Sequence, residues 1–173
     1  IGDFDFEDGT INILKASTGK WSKCIYPYDS QGKPLSLNVF ENYTKAYNHL
    51  LANQEHLSKK RDICDNNYWY LFGRTQALKD VSQTKYAINT IIKDLQSIKL
   101  EFIPKGCGIY SGLYILTDIE FEVIKQLIYS EDFIRYIKLV LFHKTGFINN
   151  TFFEEHSANI NKSCAANSNR FRV

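Results

Sequence analysis

The sequence predicts an α+β fold, with small mixed or antiparallel β-sheets, one long helix in the N-terminal half and two C-terminal helices. Short β-leaning runs surround one long segment of helical periodicity, and strands and helices do not alternate strictly. The composition is globular, with 44% hydrophobic and 23% charged residues. We expect one domain over residues 1–160 and a polar, flexible tail over residues 161–173.

The first half of the chain contains a predicted hairpin, a short strand and a helix. Residues 4–14 are predicted as a hairpin because Asp8-Gly9 suits a type I′ turn. Residues 24–28 form another extended run, and Pro27 indicates an edge strand or a strand end. Residues 38–59 repeat apolar side chains at helical spacing, which predicts one amphipathic helix.

The second half is predicted to contain strands followed by two helices. β-branched and aromatic residues predict strands over residues 68–72, 85–92, 98–103 and 109–116. Thr117 and Asp118 are predicted to cap a helix that ends near Tyr129. Ser130, followed by acidic residues, is predicted to open a second helix through about Phe142.

Charge is distributed unevenly along the chain. Residues 9–99 carry 13 Lys or Arg against 7 Asp or Glu, a net charge of +6, whereas residues 1–8 and residues 118–132 each carry a net charge of −4. The overall charge of +2 therefore conceals a basic N-terminal half that could face a polyanion. The alternative is that these lysines only solvate the surface.

Motifs for catalysis or metal binding are absent from the sequence. The histidines form no HExxH motif, there is no P-loop, and Gly106-x-Gly108 lacks the strand-to-helix context of a dinucleotide site. The four cysteines are too far apart to indicate zinc. We therefore expect no metal, no cofactor and no independent enzymatic activity in this chain.

Segments for membrane insertion or secretion are also absent. No apolar run approaches the ~20 residues of a membrane span, and the N-terminus lacks the basic and apolar regions of a secretory signal. Widely spaced cysteines are typical of reduced thiols in the cytosol. These features predict a cytoplasmic protein without a membrane partner, and the high content of Ile, Asn and Lys hints at a bacterial source.

The most specific motif is the segment Trp69-Tyr-Leu-Phe-Gly-Arg-Thr-Gln76. The aromatic residues would anchor it, Gly73 would allow a tight backbone path, and Arg74, Thr75 and Gln76 would be presented together. Arg pairs with guanine and Gln with adenine in the major groove, and both side chains also contact phosphates. The alternative is that Arg74 and Gln76 hydrogen-bond the domain's own backbone.

This motif and several other segments, in the same order, resemble the C-terminal target-recognition domain of type II restriction–modification N6-adenine DNA methyltransferases. The family comprises Taq-like enzymes and fused restriction–methylation polypeptides. The similar segments are residues 13–18, residues 24–29 with their Pro-Tyr-Asp turn, and residues 43–61, 69–76, 110–115, 128–137 and 143–146. Two departures are Tyr129, where Asn is usual, and the residues that follow Gly146.

The family's catalytic Asn/Asp-Pro-Pro-Tyr/Phe motif and its methyl-donor glycine motif are both absent from this chain. The resemblance therefore implies a recognition domain that binds double-stranded DNA. It also implies an N-terminal methyltransferase domain of the same polypeptide, which binds S-adenosylmethionine and methylates adenine N6. No cofactor is expected in this chain itself.

Under this hypothesis three groups of residues contact DNA. The phosphate contacts are Lys15, Lys20, Lys23, Lys59, Lys60 and Arg61. The contacts to base edges or the flanking backbone are Arg74, Thr75, Gln76 and Lys79. Further candidates are Ser17, Thr18, Tyr28 and Lys144. The structural alternatives are that Tyr28 belongs to the core, that the basic cluster caps its helix, and that Ser17 and Thr18 only form a turn.

Two other functional classes remain open from the sequence. One is a non-catalytic carbohydrate- or protein-binding module, in which some of the 11 Tyr, 12 Phe and 2 Trp residues line a surface. The other is a stand-alone enzyme whose catalytic residues are scattered along the chain. Salt-sensitive DNA binding would favour the recognition domain over both.

Overall fold

The structure is a computed structural model that describes residues 1–59, 68–73, 77–142 and 170–172, with side chains described up to residue 138. The strands are β1 Thr10–Lys15, β2 Lys20–Ile25, β3 Lys85–Ile88, β4 Leu100–Ile103, β5 Gly108–Tyr110, β6 Leu113–Leu116 and β7 Arg170–Arg172. The helices are α1 Leu37–Phe40, α2 Thr44–Ala52, α3 Gln54–Lys59, α4 Phe121–Ile128 and α5 Glu131–Phe142. The predicted α+β class is confirmed.

The strands form two small sheets. One has the strand order β2-β1-β5 and the other β4-β3-β6-β7. In the second sheet, β3 is antiparallel to both neighbours, so Tyr86 lies opposite Phe102 on one side and Ile115 on the other. β7, which falls within the predicted tail, pairs antiparallel with β6.

The chain divides into two compact units, each with its own hydrophobic core. Unit 1 comprises the described residues of Ile1–Ile13, Trp21–Gln83 and Lys105–Gly108. Unit 2 comprises Leu14–Lys20, Thr84–Pro104 and the described residues from Ile109 onward. Phe40 and Tyr70 belong to the core of unit 1, whereas Phe133 belongs to that of unit 2. The predicted boundary at residue 160 lies outside the described residues.

The prediction of one long helix over residues 38–59 is wrong, because this segment forms the three short helices α1, α2 and α3. After α1, the Asn42 side chain donates hydrogen bonds to the carbonyl oxygens of Asn38 and Val39, at 3.4 and 3.1 Å. After α2, the Asn53 side chain donates to the His49 carbonyl oxygen at 2.8 Å. Asn side chains that bond the backbone compete with helix continuation, although the apolar periodicity persists.

The hairpin predicted at residues 4–14 is also wrong. Gly9 has a positive φ of 68°, but β1 pairs with β2 across the loop of residues 16–19. The rings of Phe4 and Phe6 stack at 5.1 Å between centroids, and these residues belong to no strand. Phe4 and Phe6 therefore pack through their rings, and of the predicted hairpin only residues 10–14 lie in a strand.

Of the strands predicted in the second half, those over residues 85–92 and 98–103 are correct in place but too long, whereas residues 68–72 form no strand. β3 and β4 are shorter than expected, and residues 109–116 are not one strand. They divide between β5 and β6, which belong to different sheets. The break falls at Ser111, which has a φ of 55°, a left-handed conformation that strand residues do not adopt.

The two C-terminal helices are confirmed. The Ser130 hydroxyl accepts a hydrogen bond from the Phe133 N–H at 3.1 Å, so Ser130 caps α5 as predicted. The predicted cap of the preceding helix is displaced. The Thr117 hydroxyl oxygen accepts from the Ile119 N–H at 3.2 Å, and α4 begins only at Phe121. None of the helices in the described part of the chain has the length and hydropathy needed to cross a membrane.

Candidate nucleic-acid interface

Residues 68–73, which precede the Arg74-Thr75-Gln76 motif, form a turn and not the predicted strand. The Leu71 N–H donates to the Tyr68 carbonyl oxygen at 3.1 Å, which closes the turn. Trp69, Tyr70 and Leu71 are all buried. Three consecutive buried side chains also occur in a strand that is covered on both faces, so it is the hydrogen bond between Leu71 and Tyr68 that identifies this segment as a turn.

Two tyrosine hydroxyls attach this turn to the rest of unit 1. The Tyr70 hydroxyl donates to the Leu35 carbonyl oxygen at 2.7 Å, and the Tyr28 hydroxyl accepts from the Phe72 N–H at 2.6 Å. The Tyr70 ring also stacks on Phe40, with 14° between the ring planes. Tyr28 is only 5% exposed, so it lies in the core. This position fits the alternative that Tyr28 is a core residue, which the sequence left open beside a DNA contact.

The Pro-Tyr-Asp segment that contributes to the family resemblance also forms a turn. The Asp29 carboxylate accepts hydrogen bonds from the N–H groups of Gln31 and Lys33, at 2.8 and 2.9 Å. The Asp29 N–H donates to the Lys33 carbonyl oxygen at 2.9 Å. The carboxylate therefore closes this turn, which is a common role of Asp in loops.

Gly73 and Ala77 flank the motif residues Arg74, Thr75 and Gln76, which lie outside the described residues. Gly73 lies at a bend, but it has no positive φ and nothing lies within 4 Å of a Cβ built there, so the bend does not require glycine. The special conformation is instead at Ala77, whose φ is 66°. The contacts proposed for the motif stay predictions, and Lys79, just beyond it, is exposed.

Four of the predicted contact residues lie together in unit 2, at the loop that joins β1 to β2. Lys15 and Lys20 flank this loop, and Ser17 and Thr18 lie within it. The N–H groups of Thr18 and Gly19 donate to the Lys15 carbonyl oxygen, at 3.0 and 2.8 Å. Lys20 and Thr18 are exposed, and Lys15 and Ser17 are half-buried.

Lys99 and Ser111, which the sequence did not indicate, also contact this loop. The Lys99 ammonium group donates to the Ser17 carbonyl oxygen at 3.3 Å. The Ser111 hydroxyl donates to the Ser17 hydroxyl oxygen at 3.2 Å. Lys99 and Ser111 follow Ser17 by 82 and 94 residues, so no local sequence pattern could have found them.

Charge pairing separates the predicted lysines into two groups. The Lys23 ammonium pairs with Glu7 at 2.5 Å and donates to the Phe4 and Phe6 carbonyl oxygens at 3.2 Å. Lys59 pairs with Glu55. Within the described ranges, by contrast, no ion pair involves Lys15, Lys20, Lys79 or Lys99. Lys60, Arg61 and Lys144 lie outside the described residues.

The exposed aromatic side chains bear on the alternative of a carbohydrate- or protein-binding module. Most of the described aromatic residues are buried or half-buried. The large exposed aromatics are Trp21 and Tyr68 in unit 1 and Phe102 and Tyr129 in unit 2. Neither unit therefore presents more than two of them in its described part, which makes an extended aromatic face less well supported than a cationic surface.

Tyr26 is a buried titratable group next to the anchored turn. Its hydroxyl donates to the Leu78 carbonyl oxygen at 2.9 Å. Burial raises the pKa of Tyr26 to about 12, and the neighbouring Tyr28 and Asp29 add to the effect. The phenol is therefore held in its protonated, hydrogen-bonding form.

Tyr26→Phe is expected to weaken the dependence of stability on alkaline pH. The ordinary tyrosine pKa is 10.0 and the folded value is about 12. Between these values the unfolded chain loses a proton that the folded chain keeps, so stability falls as pH rises. The variant should lose about 1 kcal/mol at neutral pH, through the missing hydrogen bond, and show a smaller decline above pH 10. Urea unfolding across this range tests this, and an unchanged decline would contradict it.

The described part of the chain also contains possible metal-ligating side chains and two cysteines. There is no cluster of three or more His, Cys, Asp or Glu side chains that could hold a metal ion among these residues. Cys24 is a free thiol. Burial raises the pKa of the Cys24 thiol, which disfavours the reactive thiolate.

Comparison with known proteins gives no match: none of the family models fits the chain, and searches of curated proteins and of solved structures find none. Its function is therefore argued from its own residues and their geometry.

Proposed function

We propose that this chain is the DNA-sequence recognition domain of a site-specific N6-adenine DNA methyltransferase of a restriction–modification system. It would bind duplex DNA and position the target adenine for a catalytic domain elsewhere in the same polypeptide. S-adenosylmethionine would supply the methyl group in that catalytic domain. Such an enzyme acts on DNA in the cytoplasm of a bacterium.

The observation that carries this proposal is the anchoring of the turn directly before Arg74-Thr75-Gln76. Trp69 and Tyr70 are buried, and hydrogen bonds from the Tyr70 hydroxyl and the Phe72 N–H hold the turn on unit 1. Base recognition requires side chains held within about 0.5 Å of their productive position. The turn that precedes Arg74 is packed and hydrogen-bonded, which is the kind of support that base-reading side chains require.

The division of labour follows from the chemistry of the reaction. An enzyme that modifies a base in duplex DNA swings the base out of the stack, so the sequence around the target base must be read by contacts elsewhere on the duplex. Phosphate contacts set the position of the protein, whereas contacts to base edges specify the sequence. The unpaired lysines would serve the first role and Arg74 and Gln76 the second.

A selection experiment tests the proposal as a whole. The chain is incubated with a random-sequence duplex library, and the bound duplexes are sequenced after several rounds. Enrichment of one short motif that contains adenine supports the proposal. The polypeptide that carries the chain together with its methyltransferase domain should then methylate this adenine, as read by methylation-sensitive sequencing. Binding without any sequence preference would contradict the proposal.

Arg74→Ala is expected to cost about 1–3 kcal/mol of binding at particular base positions, because a bidentate contact to guanine has this value. Fluorescence anisotropy with the selected duplex and its single-base variants measures the loss. A base contact predicts that discrimination disappears at one or two positions and persists elsewhere. Arg135→Ala is a matched control, because Arg135 is exposed and pairs with Asp132 on α5. Unchanged affinity and preference in Arg74→Ala would remove this residue from the recognition set.

A further inference from the structure

The loop between β1 and β2 is held rigidly within unit 2. The Ala16 N–H donates to the Tyr110 carbonyl oxygen at 3.2 Å, and the Ser17 N–H donates to the Ser111 carbonyl oxygen at 3.1 Å. The side-chain bonds of Lys99 and Ser111 to Ser17 add two further attachments. We call the residues Lys15, Ser17, Thr18, Lys20, Lys99 and Ser111 the loop cluster.

Close backbone packing next to the loop supports this rigidity. A Cβ on Gly112 would lie 2.2 Å from the Ala16 Cβ and 3.0 Å from the Ile88 carbonyl oxygen. Only glycine permits this approach. The preceding residue, Ser111, holds the uncommon left-handed conformation noted above. The left-handed conformation is energetically unfavourable for residues other than glycine. Such residues keep it where the surrounding packing holds them, and they are frequent at functional sites.

The charges of the loop cluster all have the same sign. Lys15 and Lys20 flank one short loop, and the Lys99 ammonium contacts the same loop. In the part of the chain that the structure describes, none of the three forms an ion pair. A loop that carries several lysines without an ion pair in the described residues suits a ligand that supplies negative charge.

The residues at the tip of the loop favour a nucleic-acid backbone over a membrane surface. Residues 17–19 are Ser, Thr and Gly, so the tip has hydroxyl donors and no apolar side chain. Proteins that bind a bilayer surface place apolar side chains below the headgroups. Phosphate oxygens of DNA, in contrast, are commonly bound by Lys, Ser and Thr side chains together.

We propose that the loop cluster binds the phosphate backbone of duplex DNA and that Lys99 is the positioning residue of this surface. One N–H of the Lys99 ammonium group holds the Ser17 carbonyl oxygen, and two N–H groups stay available for a phosphate. The proposal rests on the proposed function insofar as duplex DNA is the ligand. It adds a sequence-independent contact surface in unit 2 that includes two residues distant in sequence from the loop.

The test is the salt dependence of binding of the full chain to a duplex of random sequence. The slope of log affinity against log salt is negative, and its magnitude should fall by about 0.9 when one phosphate contact is lost. We expect this in each of the variants Lys15→Gln, Lys20→Gln and Lys99→Gln. This corresponds to a roughly fivefold weaker affinity at about 0.15 M salt. Lys99→Arg keeps the charge and the donors and should restore the wild-type slope. Lys125→Gln, which removes a lysine paired with Glu122 on α4, should leave the slope unchanged.

Several outcomes would overturn the proposal. Wild-type slopes in all three variants would do so, even if Arg74→Ala loses base discrimination, and the proposed function would then stand without this surface. Binding to vesicles that contain phosphatidylserine, lost in the same variants while duplex binding persists, would assign the lysines to a membrane instead. Absence of duplex binding would overturn both proposals. Lower slopes without any sequence preference would support the loop cluster and contradict sequence recognition.

The thermal midpoint separates contact from folding. Lys15→Gln and Lys20→Gln each remove a lysine that forms no ion pair in the described residues, so the midpoint should change little. A lower slope with an unchanged midpoint supports a direct phosphate contact. A lower slope that appears only together with a large fall in the midpoint would assign these lysines to folding and overturn the proposal.

Discussion

Phe40→Ala should lower the free energy of unfolding of unit 1 by about 3–5 kcal/mol, the usual cost of truncating a buried Phe. Phe40 is fully buried, at 0% exposure, and its ring stacks on Tyr70 at a centroid distance of 5.8 Å. Loss of the ring leaves a cavity beside the turn that precedes Arg74. Binding to the selected duplex should therefore weaken as well, because the turn loses one of its supports.

Urea unfolding followed by tryptophan fluorescence measures this effect, since Trp21 and Trp69 are the two tryptophans of the chain and both lie in unit 1. Val39→Ala is the matched control. Val39 is the neighbouring residue on α1 and is 43% exposed, so its truncation should change stability by less than about 0.5 kcal/mol. Equal losses in the two variants would contradict the packing described for Phe40.

Gly112→Ala is expected to destabilise unit 2 by about 3 kcal/mol, because the added methyl group overpacks a tight contact. The nearest atom is the Ala16 Cβ at 2.2 Å and the next is the Ile88 carbonyl oxygen at 3.0 Å. Neither is the end of a flexible side chain, so the backbone must move. Movement of Ala16 would displace Ser17 from Ser111, and the affinity for random-sequence duplex should fall with it.

Hydrogen exchange of the amides in β3 and β6 reports the stability of unit 2 in this variant. Gly73→Ala is the matched control, since Gly73 has no atom within 4 Å of the added Cβ and no positive φ. It should be close to wild type in stability. Wild-type exchange rates in Gly112→Ala would show that the backbone at Ala16 and Ile88 moves aside without loss of stability. This result would contradict the rigidity inferred for the loop.

Local features of the sequence predicted some elements well. Ser130 caps α5 because its hydroxyl bonds an N–H only three residues away, and such short-range chemistry is visible in the sequence. The anchoring role of Trp69 and Tyr70 was also predictable, because large aromatic residues bury most of their surface. The backbone conformation of this segment was not predictable, since the same run of residues suits a buried strand or a buried turn.

The long helix over residues 38–59 shows where periodicity misleads. Apolar side chains keep helical spacing through Asn42 and Asn53, since each short helix packs its own apolar residues. The Asn side chains bond carbonyl oxygens of the preceding turn, and that competition between side chain and backbone decides where each helix ends.

The amino-acid sequence by itself determined the α+β class and the two C-terminal helices, because these features depend on residues close together along the chain. Only the tertiary structure decided that Lys99 and Ser111 bond Ser17 in the β1–β2 loop and that Lys23 forms an ion pair with Glu7. The contacts of Lys99 and Ser111 join residues 82 and 94 positions apart, and the Lys23–Glu7 pair joins residues 16 positions apart. Contacts between residues so distant in sequence follow from packing, which local residue preferences do not specify.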